Sequence, residues 1–207
     1  STVSCGTMPI AARTDTATRA EAAYSAAKIL RWQGWERQYA DDLSRTFSIP
    51  ALSEWQQKVL RTATSLIGYP YVWAGTSEKP QSPLGTRVPG GFDCSGYVLR
   101  VFEHSAWAAG TPLADLFLGR SSVDMATETR PSQRIPVSQI GPADILFFGE
   151  GGTTAANAQI DHVGIALGNG WMINASSTGI SLAPVSTGYW SARLAFGRRP
   201  LAEAGLS

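Results

Sequence analysis

A cysteine, a histidine and an asparagine at positions 94, 162 and 174 could together carry acyl-transfer chemistry. A thiol becomes a useful nucleophile when its thiolate is populated, and the unpaired N–H groups and dipole at a helix N-terminus favour that negative charge. Cys94 is expected at such a place, because Tyr97, Val98, Val101 and Phe102 form an apolar stripe that predicts a helix over residues 94–104. Gly96 in its first turn leaves room for a substrate to approach the sulfur. His162, one of two histidines, opens a strand on the face carrying Gly164 and Ala166, whose small side chains leave space above it. In this constellation Cys94 attacks, His162 exchanges the proton, and the Asn174 carbonyl accepts from the far ring nitrogen to fix the tautomer. Singly, the three residues read as a small buried hydrophobe, a core histidine and a turn-adjacent polar group. Only in combination do they favour catalysis. His104, at the other end of the Cys94 helix, reads as a structural complement to the helix dipole.

Strand register decides whether His162 and Asn174 can meet. If Gly168, Asn169 and Gly170 form a three-residue loop, Leu167 pairs with Trp171, Asn174 faces Gly164, and His162 becomes a diagonal neighbour about 7–8 Å away at the backbone. A two-residue loop of Asn169 and Gly170 would put the pair on opposite faces. The three-residue loop is the expectation.

The elements that position these groups follow from periodicity. Residues 1–13, with Cys5, show none and are expected to be a loosely docked leader. Ala23, Ala27 and Leu30 recur at helical spacing, predicting a helix over residues 16–43 that Pro50 separates from the rest. A second helix is signalled by Ser53 with Gln56 as a capping box, by Trp55, Val59, Ala63 and Leu66 on one face, and by Gly68 and Pro70 as a stop. Residues 76–91 (TSEKPQSPLGTRVPGG) hold three prolines and three glycines and read as a surface loop. Residues 108–140 read as loop with a short helix near 114–118. Strands are predicted at 144–148, 162–167, 171–176 and 189–199, and 149–159 (GEGGTTAANAQ) reads as a flexible insertion.

Composition removes several classes of function. Seventeen Lys and Arg against sixteen Asp and Glu leave a net charge of +1, too little to hold nucleic acid. The longest apolar runs are far shorter than the roughly 20 residues of a membrane span. Two cysteines and no Cys/His cluster exclude a disulfide framework and a zinc site, so no metal or cofactor is expected. A hydrophobic fraction of 43% is enough for a real core. Seven Trp, twenty-one Gly and 16% charged residues suit an exported protein, and a chain opening at Ser1 without a signal peptide fits a processed or trimmed one.

In this order the motifs resemble the NlpC/P60 family of bacterial cell-wall cysteine peptidases. The likeness spans about residues 53–200 and rests on 69–75 (YPYVWAG), 92–98 (FDCSGYV), 141–148 (GPADILFF) with 161–168 (DHVGIALG), and 171–177 (WMINASS). It implies an α+β, papain-like fold in which the Cys helix packs against an antiparallel sheet, with residues 51–207 as catalytic domain and 1–50 as leader and helical extension. It further implies a secreted, monomeric cysteine endopeptidase at the bacterial cell wall, cutting peptidoglycan stem peptides at the γ-D-glutamyl to diamino acid bond (meso-diaminopimelate). Tyr71 matches the family's oxyanion-binding tyrosine. Asp93 and Ser95 match positions that in some members contact the amino end of the stem peptide, although Asp93 could equally cap its own helix. Asn174 replaces the more common histidine, and its amide can still accept the orienting hydrogen bond. The loop 76–91 is an insertion relative to compact members and is placed to wall the groove. An N-acetylmuramoyl-L-alanine amidase or another acyl-transfer enzyme on the same scaffold, and a non-catalytic wall-binding module, are the alternatives.

Overall fold

The computed structural model describes residues 49–206. The expected leader, the helix over 16–43 and Cys5 lie outside the described residues.

Helix α1 (Glu54–Ser65) begins as its sequence predicts, with both halves of the Ser53/Gln56 capping box in place. Val59, Ala63 and Leu66 are buried, and the chain leaves the helix through Gly68 at φ 96°. Helix α2 (Cys94–Phe102) follows the short pair β1 (Thr76–Ser77) and β2 (Gly91–Phe92), which pair antiparallel. The two helices are tied by Tyr97, fully buried, whose hydroxyl donates to the Ala63 carbonyl at 3.1 Å.

The main sheet has six strands: β3 (Arg134–Ile135), β4 (Ile145–Gly149), β5 (Ile160–Gly168), β6 (Trp171–Ser176), β7 (Gly179–Pro184) and β8 (Leu194–Arg198). Their spatial order is β3-β8-β4-β5-β6-β7, and every pairing is antiparallel. Helices plus an antiparallel sheet make this an α+β fold. Leu146, Phe148, Ala166, Met172 and Leu194 form one buried cluster, extended by Ile140, Val185 and Trp190.

Two local expectations are corrected, and two loop stretches prove to be tied down. The short helix of the 108–140 stretch is not at 114–118 but is α3 (Ser122–Glu128), started by a Ser121/Asp124 capping box in which Asp does the work of Glu. The last predicted strand is two elements, since Gly188–Arg193 turns into helix α4 before β8 begins. The insertion at 76–91 is held in place rather than loose: the Gln81 side chain accepts from Thr76 N–H and donates to the Ser77 and Gly91 carbonyls, while Glu78 pairs with Arg100 of α2 at 2.6 Å. The 149–159 stretch carries two 3-10 turns, and the Asn157 side chain accepts from Arg134 at 2.6 Å.

The β5–β6 connection combines both loops considered from sequence. Gly168 pairs with Trp171, so the turn itself is two residues, Asn169 and Gly170, with φ of 50° and 80° as a type I′ turn requires. A bulge at Leu167 then shifts the ladder back, and Ala166 pairs with Met172 and Ile165 with Ile173. That is the register that places Asn174 opposite Gly164. A Cβ built on Gly164 would stand 3.2 Å from the Asn174 Cβ, so both lie on the His162 face.

Gly168 sits at φ 95°, and a Cβ there would lie 2.8 Å from Pro50 Cγ and 3.1 Å from Pro142 Cγ. Gly188, at φ 68°, has open space around it. Gly168→Ala should therefore cost about 2–3 kcal/mol of stability and Gly188→Ala about 1 kcal/mol, as read by denaturant unfolding; equal costs would show that the packing around the bulge contributes nothing.

Candidate active site

Cys94 is the first residue of α2, and Asp93 is its N-cap. The Asp93 Oδ1 accepts from Gly96 N–H at 2.7 Å and from the Ser95 hydroxyl at 3.3 Å. Its Oδ2 is paired with the Arg120 guanidinium at 2.9 Å, and Arg120 Nη1 donates to Ser95 Oγ at 2.7 Å. Asp93 thus acts as a helix cap with both oxygens engaged inside the chain, the more local of its two expected roles. Gly96 is required by proximity: a Cβ there would lie 2.1 Å from the Gly75 carbonyl oxygen.

Cys94 carries a free thiol, 8% exposed. Its pKa runs opposite to the sequence expectation. Burial pushes the thiol up, the Asp93 charge adds to this, and hydrogen bonds from the Val163 and Ser95 backbone together with the Arg120 charge only partly offset them. Helix α2 packs against β5, the strand that carries His162.

His162 lies on β5, opposite Phe148 of β4. Its Nε2 is 3.0 Å from Asn174 Oδ1. A carbonyl oxygen only accepts, so Nε2 carries the proton and Nδ1 keeps its lone pair. Asn174 itself is 1% exposed, so the acceptor side of this part-buried hydrogen bond is shielded from water. The ring is covered by Trp190 of α4, with centroids 4.6 Å apart, and touches Phe148 at 5.9 Å. Burial lowers the His162 pKa to about 4, against the Asn174 hydrogen bond and the Asp161 charge, which favour the imidazolium.

Tyr71 joins the site through a parallel bridge to Phe92, two residues before Cys94. Its pKa is pushed up to about 12 by burial and by the neighbouring Cys94 and Asp93, so the phenol stays a donor throughout the physiological range. His104 is exposed at the far end of α2, outside this cluster. No group of His, Cys, Asp and Glu able to hold a metal occurs among the described residues.

Two neighbours were not legible from the motifs. Trp190 was hidden by reading 189–199 as strand. Arg120 lies in a polar stretch with no pattern of its own, and only the fold brings it to Asp93.

A cysteine on a helix N-terminus, packed against a sheet strand that carries an asparagine-oriented histidine, is the arrangement of a papain-like α+β domain. The NlpC/P60 family model matches residues 68–199, and the chain belongs to that family. It is 32% identical over 146 residues to the bifunctional muramidase/DL-endopeptidase CwlT of Bacillus subtilis (strain 168), covering 70% of this chain and 37% of that protein. It is 35% identical over 136 residues to the peptidoglycan endopeptidase RipA of Mycobacterium tuberculosis, covering 62% and 24%. The chain thus spans well under half the length of these curated relatives. Among solved structures, the P60 domain of M. avium subspecies paratuberculosis antigen MAP1204 superposes with a TM-score of 0.51 at 27% identity, covering 70% of this chain and 93% of that one.

A histidine held neutral makes stability depend on acid. Below about pH 6.5 the unfolded chain takes up the proton first, so the His162 contribution falls as pH drops from 6.5 towards 4 and is constant above. In an NMR titration the His162 ring should have a midpoint near 4. Trp190→Ala should raise that midpoint by admitting water, and Asn174→Ala should lower it by removing an acceptor for the imidazolium. A midpoint near 6.5 in the unaltered protein would contradict the burial described here.

Proposed function

We propose that this domain is a cysteine endopeptidase of peptidoglycan stem peptides, acting outside the cytoplasm on the bond between γ-D-glutamate and a diamino acid. The observation that carries the proposal is that the helix opened by Cys94 packs on β5, the strand bearing a histidine whose Nε2 is held by Asn174. The names of the two curated relatives, an endopeptidase and a DL-endopeptidase, support the bond class.

In the resting site a raised thiol pKa and a lowered imidazole pKa favour the neutral pair over a preformed thiolate and imidazolium. Proton transfer from Sγ to His162 Nδ1 therefore accompanies attack. The Sγ–C bond forms as the carbonyl π pair moves to oxygen, and the Tyr71 hydroxyl and Cys94 N–H are the donors offered to that oxyanion. Asn174 Oδ1 holds the imidazolium through Nε2–H without adding charge. His162 then returns the proton to the leaving amine as the C–N bond breaks. Water, deprotonated by the same ring, cleaves the thioester and restores the thiol. Asp93 and Ser95 flank Cys94 at the start of α2.

Cys94→Ala should abolish release of fragments from purified sacculi, and mass spectrometry of the products of the unaltered domain should show a new γ-D-glutamyl carboxylate and a free diamino acid amine. Tyr71→Phe should lower kcat about 100-fold with a smaller change in KM. Products ending in a free L-Ala amine would identify an amidase instead, and undiminished release by Cys94→Ala would remove this site from the chemistry.

A further inference from the structure

Arg120 reaches the start of α2 from a loop 25 residues away and touches three residues in two separate segments. One guanidinium nitrogen donates to Ser95 Oγ at 2.7 Å; the other donates to Asp93 Oδ2 at 2.9 Å and to the Gly75 carbonyl at 3.4 Å. Gly75 closes the segment that carries Tyr71, and its N–H bonds the Val72 carbonyl at 2.8 Å. One planar group thus ties the oxyanion-binding segment to the two residues flanking Cys94.

The loop that presents Arg120 is itself held rigid. Glu128 accepts the N–H groups of Leu118 and Gly119, both at 3.0 Å, and Glu103 at the end of α2 accepts that of Phe117 at 2.6 Å. Glu128 is in turn paired at 2.8 Å with Arg198, which is 4% exposed and also bonded to Glu203. After this run, the Ser121/Asp124 capping box starts α3 immediately beyond Arg120.

Charge adds a second role. Asp93 is buried close enough to Cys94 and Tyr71 to oppose their ionisation, and Arg120 acts on both in the opposite sense. An uncompensated Asp93 would leave a bare carboxylate next to the sulfur on which negative charge develops during attack.

We infer that Arg120 is a positioning residue for the proposed reaction: it locks the first turn of α2 to the Tyr71 segment and neutralises Asp93 so that negative charge can develop on the Cys94 sulfur as its proton leaves. The inference rests on Cys94 being the nucleophile of the proposed function.

The test is the pH dependence of Cys94 alkylation by iodoacetamide, which needs no peptidoglycan, followed by kcat and KM on muropeptides. The charged or titratable groups around the sulfur are Asp93 on its own helix, Tyr71 on the bridging segment, His162 on β5 and Arg120 itself. Arg120→Gln, which keeps hydrogen-bonding capacity but no charge, should move the alkylation profile to higher pH and slow the reaction about threefold at pH 8. Adding Asp93→Asn should return the profile towards that of the unaltered protein. Arg120→Lys should keep the profile and lower kcat with little change in KM, because charge remains but the fork is lost. A purely structural arginine would instead lower the unfolding temperature in both variants and leave the alkylation profile unmoved, which would overturn the inference. If the glutamine variant does not fold, the lysine variant decides by its split between kcat and KM: a change confined to KM, or none, rejects the positioning role. Normal alkylation behaviour without muropeptide cleavage by the unaltered domain would refute the proposed function and leave the alkylation result standing.

Discussion

A single hydrogen bond, 3.0 Å from His162 Nε2 to Asn174 Oδ1, depends on where one β-bulge falls. Side chains alternate along a strand, so a shift of one residue between β5 and β6 would move Asn174 to the far side of the sheet. The tight Asn169 and Gly170 turn, taken alone, dictates that wrong register. The bulge at Leu167 supplies the missing residue and restores the alternation on which the site relies. Gly164, between the two side chains, leaves the face open enough for them to meet.

Burial then governs the electrostatics of what the register assembles. At a helix start the dipole favours a thiolate, but Cys94 is enclosed and lies beside a carboxylate, and desolvation wins. The same physics acts on His162 under Trp190 and Phe148 and on Tyr71 beside the sulfur. All three groups are held in their neutral forms. The site is thus built to delay charge separation until a bound acyl group can share it, and its reactivity is a property of the complex more than of the resting protein.

How much of this could be read from residues alone depends on the range of the interaction. The Ser53 cap, the apolar stripe of α2 and the strands around His162 and Asn174 are set by neighbours a few positions apart, and they stand where periodicity puts them. The face shared by His162 and Asn174 was legible too, although the turn reaches it by another route. Strand β7 was invisible because its residues 179–184 are mixed and only partly buried, and α4 was mistaken for strand because Tyr189 and Trp190 carry strong strand preference. The contacts of Arg120 join positions more than twenty residues apart, and the sign of the Cys94 shift is set first by burial, which no local pattern encodes.

The segment between β1 and β2 looks in sequence like a tether of prolines and glycines, yet Gln81 stitches it across its base and Glu78 anchors it to the helix that bears the sulfur. A segment already fixed in this way has little chain entropy left to lose when anything binds to it. Whatever contacts it meets a stiff surface, so a poorly matching outline gains nothing from rearrangement of the chain.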